Sequence, residues 1–201
     1  TSEGLPGRCP ECWIRREYCV CADVPQVISR TEVVVIRHLR ESFKSTGTVR
    51  PAALALRTLR CIDYSEDGQP AIDLQPTYAQ PGSYVLFPSD SPSPWPSGAV
   101  SRLILIDGTW RQARRMYQRL PSLHSLPQLS LPPKAERVLR LREAPSQVGR
   151  STLEAIADAL EILEGESIAA PLHALHRLYV ERVFRARGVW NLRSAILGIS
   201  K

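Results

Sequence analysis

The chain has 201 residues, 43% of them hydrophobic and 23% charged, which is ordinary for a globular protein and enough for one domain with a sizeable core. Its net charge of +6, carried almost entirely by arginine, and a pI near 9.3 favour a polyanionic partner, nucleic acid ahead of an acidic membrane, over an inert basic surface. No apolar run approaches membrane-spanning length and the first residues lack a signal-peptide hydrophobic stretch, so the expectation is a cytoplasmic protein with no membrane attachment and no obligate protein partner.

Four of the five cysteines crowd into the first two dozen residues, as Cys9-Pro-Glu-Cys12 followed by Cys19-Val-Cys21. A secreted disulfide framework spreads its cysteines along the chain, whereas four thiolates in one short loop can close a tetrahedron around zinc. Incidental reduced thiols or a redox pair are the alternatives, although no βαβ pattern flanks Cys9 in the thioredoxin manner. The reading is therefore a small zinc-binding segment, residues 1–28, ahead of an α/β domain, residues 29–201. Cys61 stands apart and is expected in the core.

Thr31 to Arg37, with four consecutive β-branched residues from Val33 to Ile36, predicts a strand buried on both faces. After it come His38, Arg40, Glu41, Lys44 and the hydroxyl-rich run Thr46-Gly47-Thr48. Hydroxyls and a glycine ahead of a helix offer donors to an anion, or simply cap a helix that begins near Val49 and continues to Arg60. His38 is equally readable as a hydrogen-bonded structural residue. Residues 63–81 read as an irregular connection. Ser83 to Pro88 predicts a third strand stopped by its proline, and residues 89–98 a Ser/Pro-rich loop around Trp95.

The stretch from Arg102 to Met116 is the most informative. Leu103 to Ile106 is a short apolar run bounded by a turn signal, the mark of a strand inside a parallel sheet. Asp107 and Gly108 then fall at its carboxyl end, where open α/β sheets bind ligands. Beyond Trp110, residues Arg111, Arg114, Arg115 and Arg119 share one helix face, with no acid before Glu136 to offset them. Such a face is either solvated or laid against a phosphate backbone, and four mutually repelling charges favour the backbone. Lys44 joins this RNA-contacting set.

Prolines between Leu120 and Pro133 leave room for one short strand, Gln128 to Leu131, and Arg137 to Arg142 is a further strand candidate. Ser151 and Glu154 form a capping box, which starts a helix whose inner face is Leu153, Ile156, Ala157, Leu160 and Leu163 and which Gly165 ends. A final helix is predicted from Leu172 to Arg187, with Leu175, Leu178, Tyr179 and Val183 inward.

Five ordered motifs in this chain resemble the DTW-domain family: the cysteine cluster, the His38-Glu41-Lys44-Thr46 turn, Leu86-Phe87-Pro88, Asp107-Gly108-Thr109-Trp110 followed by Arg-Gln-Ala, and Ser151-Thr152-Leu-Glu154-Ala. Where the family tends to carry an Asn before the Thr, this chain has Thr46-Gly47-Thr48. The resemblance implies a SPOUT-like knotted α/β fold in which late segments thread through an earlier loop. It implies S-adenosyl-L-methionine as co-substrate and transfer of its 3-amino-3-carboxypropyl group to N3 of a uridine in RNA. The cysteine cluster and Asp-Gly-Thr-Trp are closest to the tRNA-acting branch. Leu86, Phe87, Pro88, Asp107, Gly108, Thr109, Trp110, Leu131, Ser151 and Thr152 are the implied cofactor-binding residues. Asp107 is the candidate general base toward the N3 proton, or else a ligand of the cofactor amino group, or the cap of the Gly108 turn. Trp110 either stacks on adenine or uracil or packs. Methyl transfer on the same fold, and a non-catalytic zinc-bearing RNA-binding module, are the competing functions.

Overall fold

A computed structural model describes residues 6–65, 80–133, 139, 141 and 149–190. Among these residues the strands are β1 (Glu32–His38), β2 (Leu59–Tyr64), β3 (Ser83–Leu86), β4 (Arg102–Asp107) and β5 (Gln128–Leu129). The helices are α1 (Val49–Ala55), α2 (Trp110–Arg119), α3 (Pro121–His124), α4 (Thr152–Glu164) and α5 (Glu166–Ala186). The strands form one sheet in the order β2-β1-β4-β3-β5, with every pairing parallel. Central strands of such a sheet are covered on both faces, which is why the runs Val33–Ile36 and Leu103–Leu105 are apolar at consecutive positions.

The two faces divide those runs by the alternation of a strand. Val33, Val35, Leu103 and Leu105 pack with Val49 and Ala52 of α1, Leu153 and Ile156 of α4, and Leu172 of α5. Val34, Ile36 and Ile104 pack on the other side with Met116 of α2 and with Leu120 and Leu123. The result is a three-layer α/β/α arrangement. No described helix is long and apolar enough to cross a membrane.

Four expectations need correction. The helix after Thr48 ends at Ala55 rather than Arg60, and the residues from Leu59 form β2 instead. Ala- and Leu-rich composition favoured a longer helix, but pairing Val33 to His38 with Leu59 to Tyr64 satisfies an otherwise open strand edge. Cys61 is exposed, not in the core, because β2 is itself the sheet's edge and shows a mostly solvent-facing pattern. The last helix begins at Glu166 and takes Pro171 into its interior. Burial of Ala169, with Ile168 packed against the core, outweighs the backbone bond that Pro171 forfeits. The strand predicted at Gln128 stops at Leu129, short of Leu131. The candidate strand at 137–142 lies outside the described residues apart from 139 and 141, which belong to no element, and most of the 63–81 connection also lies outside.

Gly165, at φ +96°, separates α4 from α5 and lets the two helices fold back on each other. Just before it, the Glu164 carboxylate closes a clamp on the entrance to β1. Oε1 accepts from the Ser29 hydroxyl (2.7 Å) and the Thr31 N–H (2.9 Å), and Oε2 accepts from the Arg30 N–H (2.9 Å). Burial would raise this carboxyl, but the Arg30 N–H, the Ser29 hydroxyl and the Thr31 N–H hold it below the ordinary carboxylate range. A depressed carboxyl stabilises the fold above its unfolded value, and that contribution is lost as pH falls through the folded value. Glu164→Gln is therefore expected to cost about 1–3 kcal/mol at neutral pH in denaturant unfolding. The difference from wild type should shrink once the pH drops below 4.5.

Candidate active site

At the carboxyl end of β4, Asp107 leads into a turn whose residues are chosen by close approach. The Thr109 hydroxyl accepts from the Gln112 N–H (3.3 Å), and the Gln112 side-chain oxygen accepts from the Thr109 N–H (2.8 Å). This reciprocal capping box starts α2 immediately behind Asp107. A Cβ on Gly108 would sit 3.1 Å from the Gln112 Cβ, tighter than ordinary contact, so the glycine makes room for the box. The Thr-x-x-Gln spacing is the sequence signal that could have announced this cap.

Three distant chain segments converge on this turn. The Thr152 hydroxyl donates to Asp107 Oδ1, and the Leu153 N–H donates to Thr48 Oγ1 (3.2 Å). Ser151, the cap of α4, also lies 2.9 Å from His176 Nε2 of α5. The post-β1 loop, the post-β4 turn and the start of α4 thereby share one site. On the neighbouring strand Arg37 pairs in register with both Asp107 and Asp63, and its guanidinium grips the Asp63 carboxylate at 2.7 and 3.1 Å. Burial lowers the Arg37 pKa, but Asp63 first, with Cys61 and then Asp107, more than restores it.

Two cavities meet here. The larger, about 650 Å³, has walls from Leu86, Phe87, Pro88, Gly108, Trp110, Leu131 and Thr152. The smaller, about 210 Å³, is bordered by Asp107, Gly108, Thr109, Trp110, Ser151 and Thr152 together with Thr46, Gly47 and Thr48. All ten residues expected to hold a cofactor thus border one cavity or the other. Gly108, Trp110, Arg150 and Thr152 border both.

The larger cavity is braced by residues that no sequence motif singled out. Phe87 stacks on Tyr117 with ring centres 4.8 Å apart. The Gln128 amide donates to the carbonyls of Phe87 and Pro88 (3.1 Å each), while its oxygen accepts from the Tyr117 hydroxyl (3.2 Å). Arg150, with only 6% of its side chain exposed, pairs with Asp158 and donates to the Pro132 carbonyl (2.7 Å). Its place directly before the Ser151 cap was the only sequence signal. The remaining candidates lie outside the cavities. Arg111, Arg114, Arg115 and Arg119 are exposed, opposite the buried Ala113 and Met116 of α2. Lys44 forms an ion pair with the buried Glu41 carboxylate. His38 is buried and accepts the Arg40 N–H on Nδ1 (3.1 Å).

Cys9, Cys12, Cys19 and Cys21 bring their sulfurs within 4.8 Å of one another, without a disulfide. The Cys9–Cys21 and Cys12–Cys19 sulfur separations are 3.6 and 3.7 Å. A tetrahedral ion with bonds of ~2.3 Å to sulfur needs edges of roughly 3.8 Å, so the cluster could hold a metal ion. Burial pushes the Cys12 and Cys21 thiols up. Burial acts the same way on Cys9, but the backbone N–H groups of Cys12 and Glu11 and the neighbouring thiols bring it down to about 7. The cluster packs through Cys9, Cys12, Ile14 and Val20 onto Tyr179 and Val183 of α5.

The model of the DTW domain family matches residues 7–184, and the chain belongs to that family. It is 30% identical over 184 residues to the tRNA-uridine aminocarboxypropyltransferase 2 of Drosophila melanogaster, covering 84% of this chain and 73% of that protein. It is 31% identical over 193 residues to the protein of the same name from Mus musculus, and 28% identical over 190 residues to that from Macaca fascicularis. Each mammalian match covers 83% of this chain, which spans only 61% of the length of those relatives. No solved structure matches the chain.

If the cysteines hold a metal, its removal by a chelator should lower the melting temperature. A loss of about 2 kcal/mol corresponds to roughly 4–8 °C for a chain of this size. Elemental analysis that finds no metal in the purified protein would discard the site.

Proposed function

We propose that this chain is a tRNA-uridine aminocarboxypropyltransferase that moves the 3-amino-3-carboxypropyl group of S-adenosyl-L-methionine to N3 of a uridine. The observation that carries the reading is the pair of cavities meeting at Gly108, Trp110 and Thr152, one wide and walled by both apolar and polar side chains, the other small and bordered by Asp107. A volume of about 650 Å³ suits a nucleoside, with Leu86, Phe87, Pro88 and Leu131 as its walls and Trp110 available to stack. The smaller cavity suits the amino-acid arm, where the Thr109 and Ser151 hydroxyls and the start of α4 face it. The bound sulfonium supplies an activated γ-carbon and a neutral leaving group, methylthioadenosine.

The protein's own contribution is placement and one proton. Asp107 accepts the N3 imide proton as the new N–C bond forms and the C–S bond breaks. Its Oδ1 is oriented for that task by the Thr152 hydroxyl. Side chains set on a rigid sheet edge and a capped helix decide which carbon of the sulfonium faces the base, and this separates aminocarboxypropyl from methyl transfer. The arginine face of α2 begins directly behind the site, where it would take the phosphate backbone of tRNA.

We also assign Zn²⁺ to the four-cysteine cluster as a structural ion, and residues 1–28 to it as a small unit on the α/β domain. The SPOUT-type knot belongs to the same proposal.

Incubating tRNA with the protein and S-adenosyl-L-methionine should yield aminocarboxypropyluridine and methylthioadenosine in equal amounts, read by nucleoside mass spectrometry. S-adenosylhomocysteine in place of methylthioadenosine would mean methyl transfer instead. Asp107→Asn should lower turnover by about 10²–10⁴-fold while calorimetric binding of S-adenosyl-L-methionine persists. Unchanged turnover removes Asp107 as the base. Arg114→Ala with Arg115→Ala should weaken tRNA binding and flatten its salt dependence, by about 0.7–0.9 in the log–log slope for each phosphate that is no longer neutralised.

A further inference from the structure

The turn that follows β1 spends many interactions on holding two apolar side chains out in water. Phe43 is 67% exposed and Leu39 38% exposed, and Arg40 between them is exposed as well. Exposed apolar residues need no explanation when they are scattered singly on mobile loops. These two share one turn, and the turn is pinned on every side. The Ser42 N–H and hydroxyl both donate to the Leu39 carbonyl (3.0 and 2.6 Å), and the Arg40 N–H is held by His38. Arg50 of α1 donates to the Ser42 carbonyl (2.6 Å), and the Tyr179 hydroxyl of α5 donates to the Ser45 carbonyl (2.9 Å). Between them the Glu41 carboxylate is buried against Lys44. Gly47 completes the turn where a Cβ would come within 3.3 Å of the Lys44 carbonyl.

We propose that this turn is a preformed stacking platform for an unpaired nucleotide of the tRNA substrate, with the Phe43 ring receiving the base and Arg40 meeting the adjoining phosphate. The inference rests on the transferase reading above and adds an RNA-contacting element to it. Three features select a nucleotide over other occupants. The turn is continuous with the candidate site, since Glu41, Thr46, Gly47 and Thr48 of the same loop border the smaller cavity. Its exposed charge is positive, in a chain of net charge +6. An exposed aromatic ring and an exposed arginine on one turn match the flat face and charged backbone of a single-stranded nucleotide. Because the backbone of the turn is already held by these bonds, little backbone freedom remains to be lost on binding.

The test measures tRNA affinity without S-adenosyl-L-methionine, so that it stands apart from the transfer reaction. Phe43→Ala should weaken tRNA binding roughly tenfold and raise the KM for tRNA to match, with co-substrate affinity and melting temperature unchanged. Phe43→Trp should restore binding and Phe43→Leu should not, because a stacked base needs a ring rather than apolar bulk alone. Equal tRNA affinity for wild type and Phe43→Ala overturns the proposal, as does full rescue by leucine. A change confined to oligomeric state in light scattering also overturns it and makes the turn a contact between copies of the chain. Wild-type protein that binds tRNA through Phe43 but releases no methylthioadenosine would instead sink the transferase reading and leave the platform standing.

Discussion

The bond from the Thr152 hydroxyl to the Asp107 carboxylate, 45 residues apart in sequence, is the contact on which the site depends. It ties the first turn of α4 to the end of β4. One residue further, the Leu153 N–H reaches Thr48, so the same turn of helix is fastened to the loop after β1 as well. Helix N-termini carry donors with no partner inside the helix. Here Ser151 and Glu154 cap some of them internally, and Thr48 accepts another. Caps of this kind are usually local; in this protein one of them is tertiary. Separate α4 from β4 and the two cavities lose the wall they share.

The cysteine-rich segment supports that arrangement from behind. Tyr179 is fully buried, packed with Cys9, Cys12, Ile14 and Val20 on one side, while its hydroxyl reaches the Ser45 carbonyl on the other. Arg50 makes a parallel link, with its guanidinium 4.1 Å from the Trp13 ring centre and a bond to the Ser42 carbonyl. A segment this short buries too little apolar surface to order itself, which is the usual reason a small unit is built around a metal. Through these contacts the cysteine-rich segment links α5 to the post-β1 turn.

Arg150 illustrates how one buried cation can serve two ends. Its pairing with Asp158 fixes it on α4, and its bond to Pro132 holds the chain that returns from β5. Asp158 in turn faces His173 of α5 at 3.5 Å. A buried charge is tolerated where partners surround it in this way. The consequence is that the border between the two cavities is stiff, as the proposed choice among the three carbons of a sulfonium would require.

Much of this was written in the sequence because its signals are local. Unbroken apolar runs marked β1 and β4 as strands covered on both faces, the spacing of Ser151 and Glu154 marked the start of α4, and the clustering of four thiols marked a segment that could hold a metal ion. Asp107 could be placed at a strand end from its neighbours alone. Strand β2 was not legible, because Leu59 to Tyr64 is an edge strand whose half-exposed alternation is weak beside the helix-favouring residues ahead of it. The exposure of Cys61 and the inclusion of Pro171 in α5 followed from which surfaces other elements cover, and no local pattern encodes that. Nor did any spacing announce that Thr152 would meet Asp107 or that Arg150 would border both cavities. Periodicity and capping act over a few residues, whereas the site is made by segments that only the packing of helices on a parallel sheet brings together.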